Sequence, residues 1–293
     1  MYTKICEVVL AITKVIIPVA GLGTRFLPVT KSIPKAMIPV LNIPSIHYAV
    51  KEAVKADMTE VIIVMSKGQE GIVQYFENSN EFKVNKKDSK TLNEISYMND
   101  KISIHIIYQQ IPKGLGDAIL QCKKNVNKTP FGVILPDDLI LGKNSVISEM
   151  KKIYLQKKSS IIALKKVPRS QLPYLGVVDA YEIAKNIYQI SGMIEKPRLN
   201  NAPSDLAIIG RYILPYDIFD ILELTKPGIN NEIQLTDAIR SLIGEIGVLG
   251  YQFAESHFDV GTPIGLLKAS IHESMQIPEF ANEIKSFMSF FKD

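Results

Sequence analysis

The chain has 293 residues, of which 46% are apolar and 22% charged, with a formal net charge of +4. That balance belongs to a globular protein with a large core, and the mild basicity suits a small anionic substrate. No stretch reaches the ~18 apolar residues that a membrane crossing needs, and no arginine-rich patch calls for nucleic acid.

Residues 1–14 are expected to form an N-terminal extension. Its apolar part, 8–12, is too short for a secretory core, and no small-residue cleavage site follows. Residues 15–20 (Val-Ile-Ile-Pro-Val-Ala) are largely β-branched and predict a buried strand. The spacing of Ile46, Ala49, Val50, Ala53 and Val54 predicts a helix over 45–56 with Ser45 as N-cap. A second buried strand follows at 60–65 and a helix at 69–76. Strand, loop, helix, strand, helix is the opening of an α/β fold with a parallel sheet. The Lys- and Asn-rich stretch 78–101 reads as a solvated excursion, helical in part.

Beyond it, strands are expected at 103–108, 131–135, 160–164, 176–180, 187–193, 205–213, 248–253 and 257–260. Helices are expected at 116–124, 146–156, 217–224 and 234–243. A last helix over 278–292 puts Phe280, Ile284, Phe287, Met288 and Phe291 on one face, for the core or for a partner. Cys6 and Cys122 lie far apart and outside any C-x-x-C, which predicts free thiols in a reducing cytoplasm. His47, His105, His257 and His272 lack metal-ligand spacing and read as structural or surface residues.

The densest chemistry follows the first strand. Gly21 and Gly23 let backbone N–H groups approach a phosphate unobstructed, Thr24 follows them, and Arg25 adds a planar cation. Lys35 brings a second cation from Ile33-Pro-Lys-Ala-Met-Ile-Pro39, where prolines restrict the backbone on either side. Phe26 stands where a dinucleotide fingerprint needs its third glycine, which argues against an NAD-dependent oxidoreductase, and no Walker A pattern occurs. G-x-G alone is equally a tight strand-to-helix turn.

Three later stretches are ambiguous on residues alone. Gln109 precedes Gly114-Leu-Gly116; its amide can read the edge of a base, or it is a sheet-edge side chain in water. Asp137-Asp138 ends a buried strand, where open α/β sheets place ligands; the pair holds a cation such as Mg2+ or caps a turn. Glu195-Lys196-Pro197 offers a carboxylate for sugar hydroxyls and a compact cation for a phosphate, or is an exposed strand end.

G-x-G-T-R-F-x-P followed by P-K-x-M-x-P makes the chain resemble the nucleotidyltransferases that make nucleotide sugars, over about residues 15–269. T-K-x-I-P-K and N-E-I-Q-L-T-D-A-I resemble the uridylyl branch more than the dTTP-using thymidylyl branch. The resemblance implies a Rossmann-like α/β fold with a mixed, mostly parallel central sheet flanked by helices and a small sugar-side β subdomain. It implies one domain over 15–275, with a nucleotide part at about 15–145 and a sugar part at about 146–275. The segment 276–293 would then be a helix suited to a homodimer or homotetramer contact.

It also resolves the ambiguities. Arg25, Lys35 and Lys196 become catalytic candidates, with Asp137 and Asp259 (in Phe258-Asp-Val-Gly-Thr-Pro263) on Mg2+. Ala20, Gly21, Gly23, Thr24, Gln109, Gly114 and Gly116 fall to the nucleotide, and Gly176, Glu195 and Lys196 to the sugar phosphate. UTP and glucose 1-phosphate are the implied substrates. Glu232 and Asp237 are read as a helix cap or as shaping the sugar pocket. One departure stands out: the family pattern P-K-E-M is Pro34-Lys-Ala-Met37 here, which leaves a non-catalytic regulatory paralogue open as an alternative.

Overall fold

The computed structural model describes residues 11–77, 89–245 and 247–291. Most of the expected N-terminal extension and the 78–88 part of the expected excursion lie outside the described residues. The extension ends earlier than expected. Ile12 is fully buried, and Thr13 accepts backbone hydrogen bonds from Thr59 and Glu60, so the core claims the chain before residue 14.

In chain order the first elements are β1 (Lys14–Pro18), the short pair β2 (Pro39–Val40) and β3 (Ile43–Pro44), and α1 (Ser45–Lys55). Then come β4 (Glu60–Met65), α2 (Gly71–Phe76), α3 (Ser89–Lys101), β5 (Ser103–Tyr108) and α4 (Leu115–Leu120). The middle holds β6 (Phe131–Ile134), β7 (Asp138–Leu141), α5 (Val146–Lys157), β8 (Ser160–Lys166), β9 (Gly176–Ala184) and β10 (Ile187–Glu195). The chain continues with β11 (Leu206–Leu214), α6 (Ile218–Leu224), α7 (Leu235–Leu242), β12 (Val248–Gln252) and β13 (Ser256–Asp259). It closes with α8 (Pro263–Ser274) and α9 (Pro278–Ser289).

Among the described residues, nine strands form one sheet in the order β5-β4-β1-β6-β11-β8-β12-β10-β9. Alternation sorts its side chains. Val15, Ile17, Val61 and Ile63 face a core covered by α1 and α5, while Ile16, Ile62 and Val64 face one covered by α4, α6 and α7. Both faces are therefore buried, which is why these strands read as continuous apolar runs. The strands from β5 to β6 are parallel, as expected; antiparallel pairing takes over at β11 and again around β10. Where a small sugar-side subdomain is expected, the β9–β10 hairpin extends the same sheet through β12.

Chain order reverses between β1 and β6, so the crevice beyond their C-terminal ends is the switch point of the sheet. β7 and β13 form a separate antiparallel pair with Asp138 opposite Asp259. Ser45 is the first residue of α1 rather than its cap; its hydroxyl donates to the Ala36 carbonyl at 3.2 Å and ties the helix to the Lys35 segment. Burial pushes the Cys122 thiol up to about 12, which leaves it an unreactive core residue. No helix among the described residues is long and apolar enough to cross a membrane.

His47 on α1 is buried, with Nδ1 3.0 Å from the Tyr75 hydroxyl and Nε2 3.2 Å from Glu94, so it joins α1 to α2 and α3. Burial pulls the imidazole below its ordinary value of 6.5 and outweighs the opposing pull of Glu94. The unfolded chain therefore takes up a proton that the native chain resists. The stability this contributes is present above pH 6.5 and is lost as pH falls below it. Urea midpoints of His47→Gln are expected to decline less between pH 7.5 and 5.5 than those of the parent; an unchanged decline would place the dependence elsewhere.

Candidate active site

The loop after β1 is braced from beneath. Gln69 donates to the Val19 carbonyl at 3.1 Å and the Ser66 hydroxyl to the Ala20 carbonyl at 3.0 Å. Gly23 sits at φ +62, and a Cβ there would come within 2.9 Å of both Lys35 Cβ and Thr30 Cγ2, so only glycine lets the loop close over the Lys35 segment. Gly21 has open space around it. Thr24 and Arg25 are exposed, and Arg25 makes no ion pair among the described residues. The loop borders a cleft of about 480 Å³ whose wall includes Lys35, Gln109, Gly114, Asp137 and Glu232.

At one end of the cleft, charged groups converge. Val260 donates its backbone N–H to the Asp137 carbonyl at 2.8 Å, which locks the turn after β6 to the end of β13. Gly261 donates to Asp259 Oδ1 at 3.0 Å, and Thr262 caps α8 by accepting from Gly265 at 3.2 Å. Lys35 Nζ lies 2.6 Å from Asp137 Oδ2. A Cβ built on Gly261 would meet Lys35 Nζ at 2.7 Å, Asp259 Oδ1 at 2.8 Å and Asp137 Oδ2 at 3.2 Å. All three groups thus surround one small cradle.

Burial, then the charges of Asp138 and Asp137, push the Asp259 carboxyl above its ordinary value; the Gly261 amide and Lys35 offset this only in part. Two crowded carboxylates with an ammonium against one of them form an all-oxygen site that needs positive charge. That donor set fits a hard divalent cation whose remaining ligands are water and phosphate oxygens.

Asp138, the neighbour expected to assist, faces elsewhere. Its oxygens accept from His257 Nε2 at 2.7 Å and the Gly210 amide at 3.0 Å. Burial alone would raise this carboxyl, but the His257 hydrogen bond, with Arg211 and Gly210 behind it, holds it low. Asp138 therefore anchors β7 to β13 and β11 rather than opening into the cradle.

On the β5–α4 side, Gln109 is buried at the cleft wall and hydrogen-bonded to Asp117 at 2.6 Å, so the solvated-edge reading fails. Gly114 lines the cleft. Gly116 does not; a Cβ there would lie 2.7 Å from the Ile233 carbonyl. Its glycine serves a backbone clasp instead, in which Gly116 N donates to Ile233 O and Ile233 N to Lys113 O, both at 2.8 Å. This is also what the Asn230–Asp237 stretch does: it clamps the loop before α4 and presents Glu232 to the cleft, while the α7 N-cap is Gln234 without a side-chain cap bond.

On the other side, Glu195 Oε2 accepts from the Thr236 hydroxyl at 2.7 Å, and Lys196 Nζ lies 3.4 Å from Glu195 Oε1. Gly176 is buried next to them; a Cβ there would come within 3.2 Å of Glu195 Oε2. Lys196 has φ +46, a backbone region that costs a residue with a side chain roughly 1–2 kcal/mol, and its N–H donates to the Leu175 carbonyl at 3.1 Å. These three residues do not line the 480 Å³ cleft. Tyr212 is buried within the field of both groups. Burial pushes its phenol up, and the carboxylates of Asp138, Glu195 and Asp137 all push it further. Tyr212, Arg211, His257 and Asp117 escaped the sequence reading as site residues. Arg211 alone left a signal, as a charge inside the apolar run of β11.

A glycine loop at the switch point, with a carboxylate pair across the cleft from it, suits a protein that handles nucleoside triphosphates. Residues 14–275 match the family described as nucleotidyl transferase, and the chain belongs to that family. Within it, the chain is 39% identical to the UTP–glucose-1-phosphate uridylyltransferase of Staphylococcus epidermidis, over 94% of this chain and 97% of that protein. A UDP-glucose pyrophosphorylase solved in complex with UDP-glucose superposes with a TM-score of 0.87 at 38% identity, covering 91% of this chain and 100% of the other. A UTP-bound UGPase from Acinetobacter baumannii gives 0.84 at 34% identity, covering 96% and 100%.

Proposed function

We propose that the protein transfers the uridylyl group of UTP to glucose 1-phosphate, giving UDP-glucose and pyrophosphate. The observation that carries this is the convergence of Lys35, Asp137 and Asp259 beside Gly261, with Lys35 packed against Gly23 of the loop that bears Arg25. A sugar-phosphate oxygen forms a bond to the α-phosphorus, and the bond to the bridging oxygen breaks, its electron pair leaving with pyrophosphate. No protein nucleophile is required, so the task is alignment and charge neutralisation.

Arg25 and Lys35 hold the β- and γ-phosphates, Gln109 and the backbone at Ala20 and Gly21 receive the base, and Gly23, Thr24 and Gly114 shape the phosphate and base loops. Gly176 and Glu195 receive the sugar, and Lys196 positions its phosphate. Asp137 and Asp259 would hold Mg2+, which when bound places positive charge against the phosphate oxygens. The nucleotide side spans about 15–145 and the sugar side about 146–275. The exposed Phe287, Phe290 and Phe291 at the end of α9 support a homodimer or homotetramer.

The test is pyrophosphate release with Mg2+ and glucose 1-phosphate, offering UTP and dTTP in parallel, with Asp137→Ala as control. Release with UTP well above dTTP, lost in the variant, is expected. Preference for dTTP would move the activity to the thymidylyl branch, and release with neither would leave a binding protein. Arg25→Ala is expected to lower kcat about 100-fold with a smaller change in KM for UTP, because its charge matters most as pyrophosphate departs. An unchanged kcat would remove Arg25 from that role.

A further inference from the structure

Gln109 meets the cleft with an amide whose orientation is fixed from behind. Its Nε2 donates to Asp117 Oδ2 at 2.6 Å and to the Gly114 carbonyl at 3.3 Å. A carboxylate and a carbonyl are acceptors only, so the nitrogen must face them and Oε1 must face away. The opposite Asp117 oxygen accepts from Gln121 Nε2 at 3.3 Å, which holds the carboxylate within α4. Asp117 is 8% exposed and does not line the cleft. Gln109 Oε1 has no partner among the described residues. Among those residues the one fully buried side-chain polar atom without a partner is Ser160 Oγ, so Gln109 Oε1 keeps some exposure, and Gln109, itself 4% exposed, lines the cleft.

We propose that Asp117 is a positioning residue that sets base selectivity by holding the Gln109 amide with its oxygen toward the cleft. This rests on the uridylyl-transfer reading. An unconstrained glutamine can turn its amide and satisfy either pyrimidine. Uracil presents a ring N3–H that Oε1 accepts. Cytosine presents a bare N3 lone pair at that place, which would face Oε1 lone pair to lone pair. The rejection comes from a polar group left unpaired, the kind of mismatch that discriminates more strongly than shape.

Asp117→Asn tests it, because an amide at 117 can either accept from Gln109 or donate to it. Steady-state kinetics with glucose 1-phosphate and Mg2+ are measured for UTP and CTP on the full chain. The UTP-to-CTP ratio of kcat/KM is expected to fall at least ~10-fold in the variant. The fall should come through KM, with kcat for UTP within about threefold of the parent. In a Gln109→Leu background the same substitution should leave the ratio unmoved, since Asp117 acts through Gln109. An unchanged ratio in the single variant would overturn the proposal. So would an equal loss for both nucleotides accompanied by a lower Tm, or a further change in the Gln109→Leu background. Calorimetric binding of UMP and CMP reads the same ratio without turnover. A parent that binds UMP over CMP but makes no UDP-glucose would defeat the uridylyl-transfer reading and still judge the role of Asp117.

Discussion

Gly261→Ala is expected to lower kcat by on the order of 10³-fold while shifting Tm by no more than about 2 °C. The two effects separate because of what the new methyl group would meet. Its neighbours are Lys35 Nζ, Asp259 Oδ1 and Asp137 Oδ2, each the far end of a flexible side chain. They can swing aside at little cost to the fold, and Gly261 has no left-handed φ that an alanine would resist. Swinging aside is what the site cannot tolerate, since the carboxylates serve only if they converge on one point. Gly265→Ala is the contrasting control. A Cβ there would come within 1.8 Å of the Asp259 carbonyl oxygen, a backbone atom, so both stability and activity should fall. A Gly261→Ala protein with parental kcat would show that Asp137 and Asp259 do not act together at this cradle.

What the sequence disclosed about this site follows from the range of the interactions involved. The strand at 103–108 and the glycine loop after β1 are local features, written in apolar runs and in consecutive glycines, and both stand where expected. Asp137 and Asp259 were legible through their strand-to-helix settings, and the structure brings them to one cradle. β7 was not legible. Among the described residues its four residues pair only with β13, and that register is decided by a chain segment more than a hundred residues away. The same non-locality hid the direction of Asp138: two adjacent aspartates look alike in sequence, and the strand partner sends one to the cleft and the other to His257. Gly116 misled for a related reason. A glycine required by close approach does not say what approaches it, and here it is the Ile233 backbone rather than a ligand.

Arg211→Met is expected to destabilise the fold by about 3–5 kcal/mol, because it strands a carboxylate the arginine had paired. The Arg211 side chain is 2% exposed, and its Nε and Nη2 donate to Glu52 Oε2 at 2.9 and 2.8 Å. Its Nη1 donates to the carbonyls of Leu135 at 3.0 Å and Asp138 at 2.8 Å, on either side of Asp137. Methionine fills comparable space but leaves the largely buried Glu52 side chain, 11% exposed, with only the Ile147 amide among the described residues, at 3.2 Å from its other oxygen. Adding Glu52→Leu removes the stranded charge, so the double variant should recover much of the lost Tm. It does not restore the two tethers on the turn that presents Asp137. Turnover by the double variant should therefore stay well below the parent at a temperature where both are folded. If stability and turnover returned together, charge pairing would be the whole of the arginine's task, and the position of Asp137 would depend on the Val260 and Gly210 backbone bonds instead.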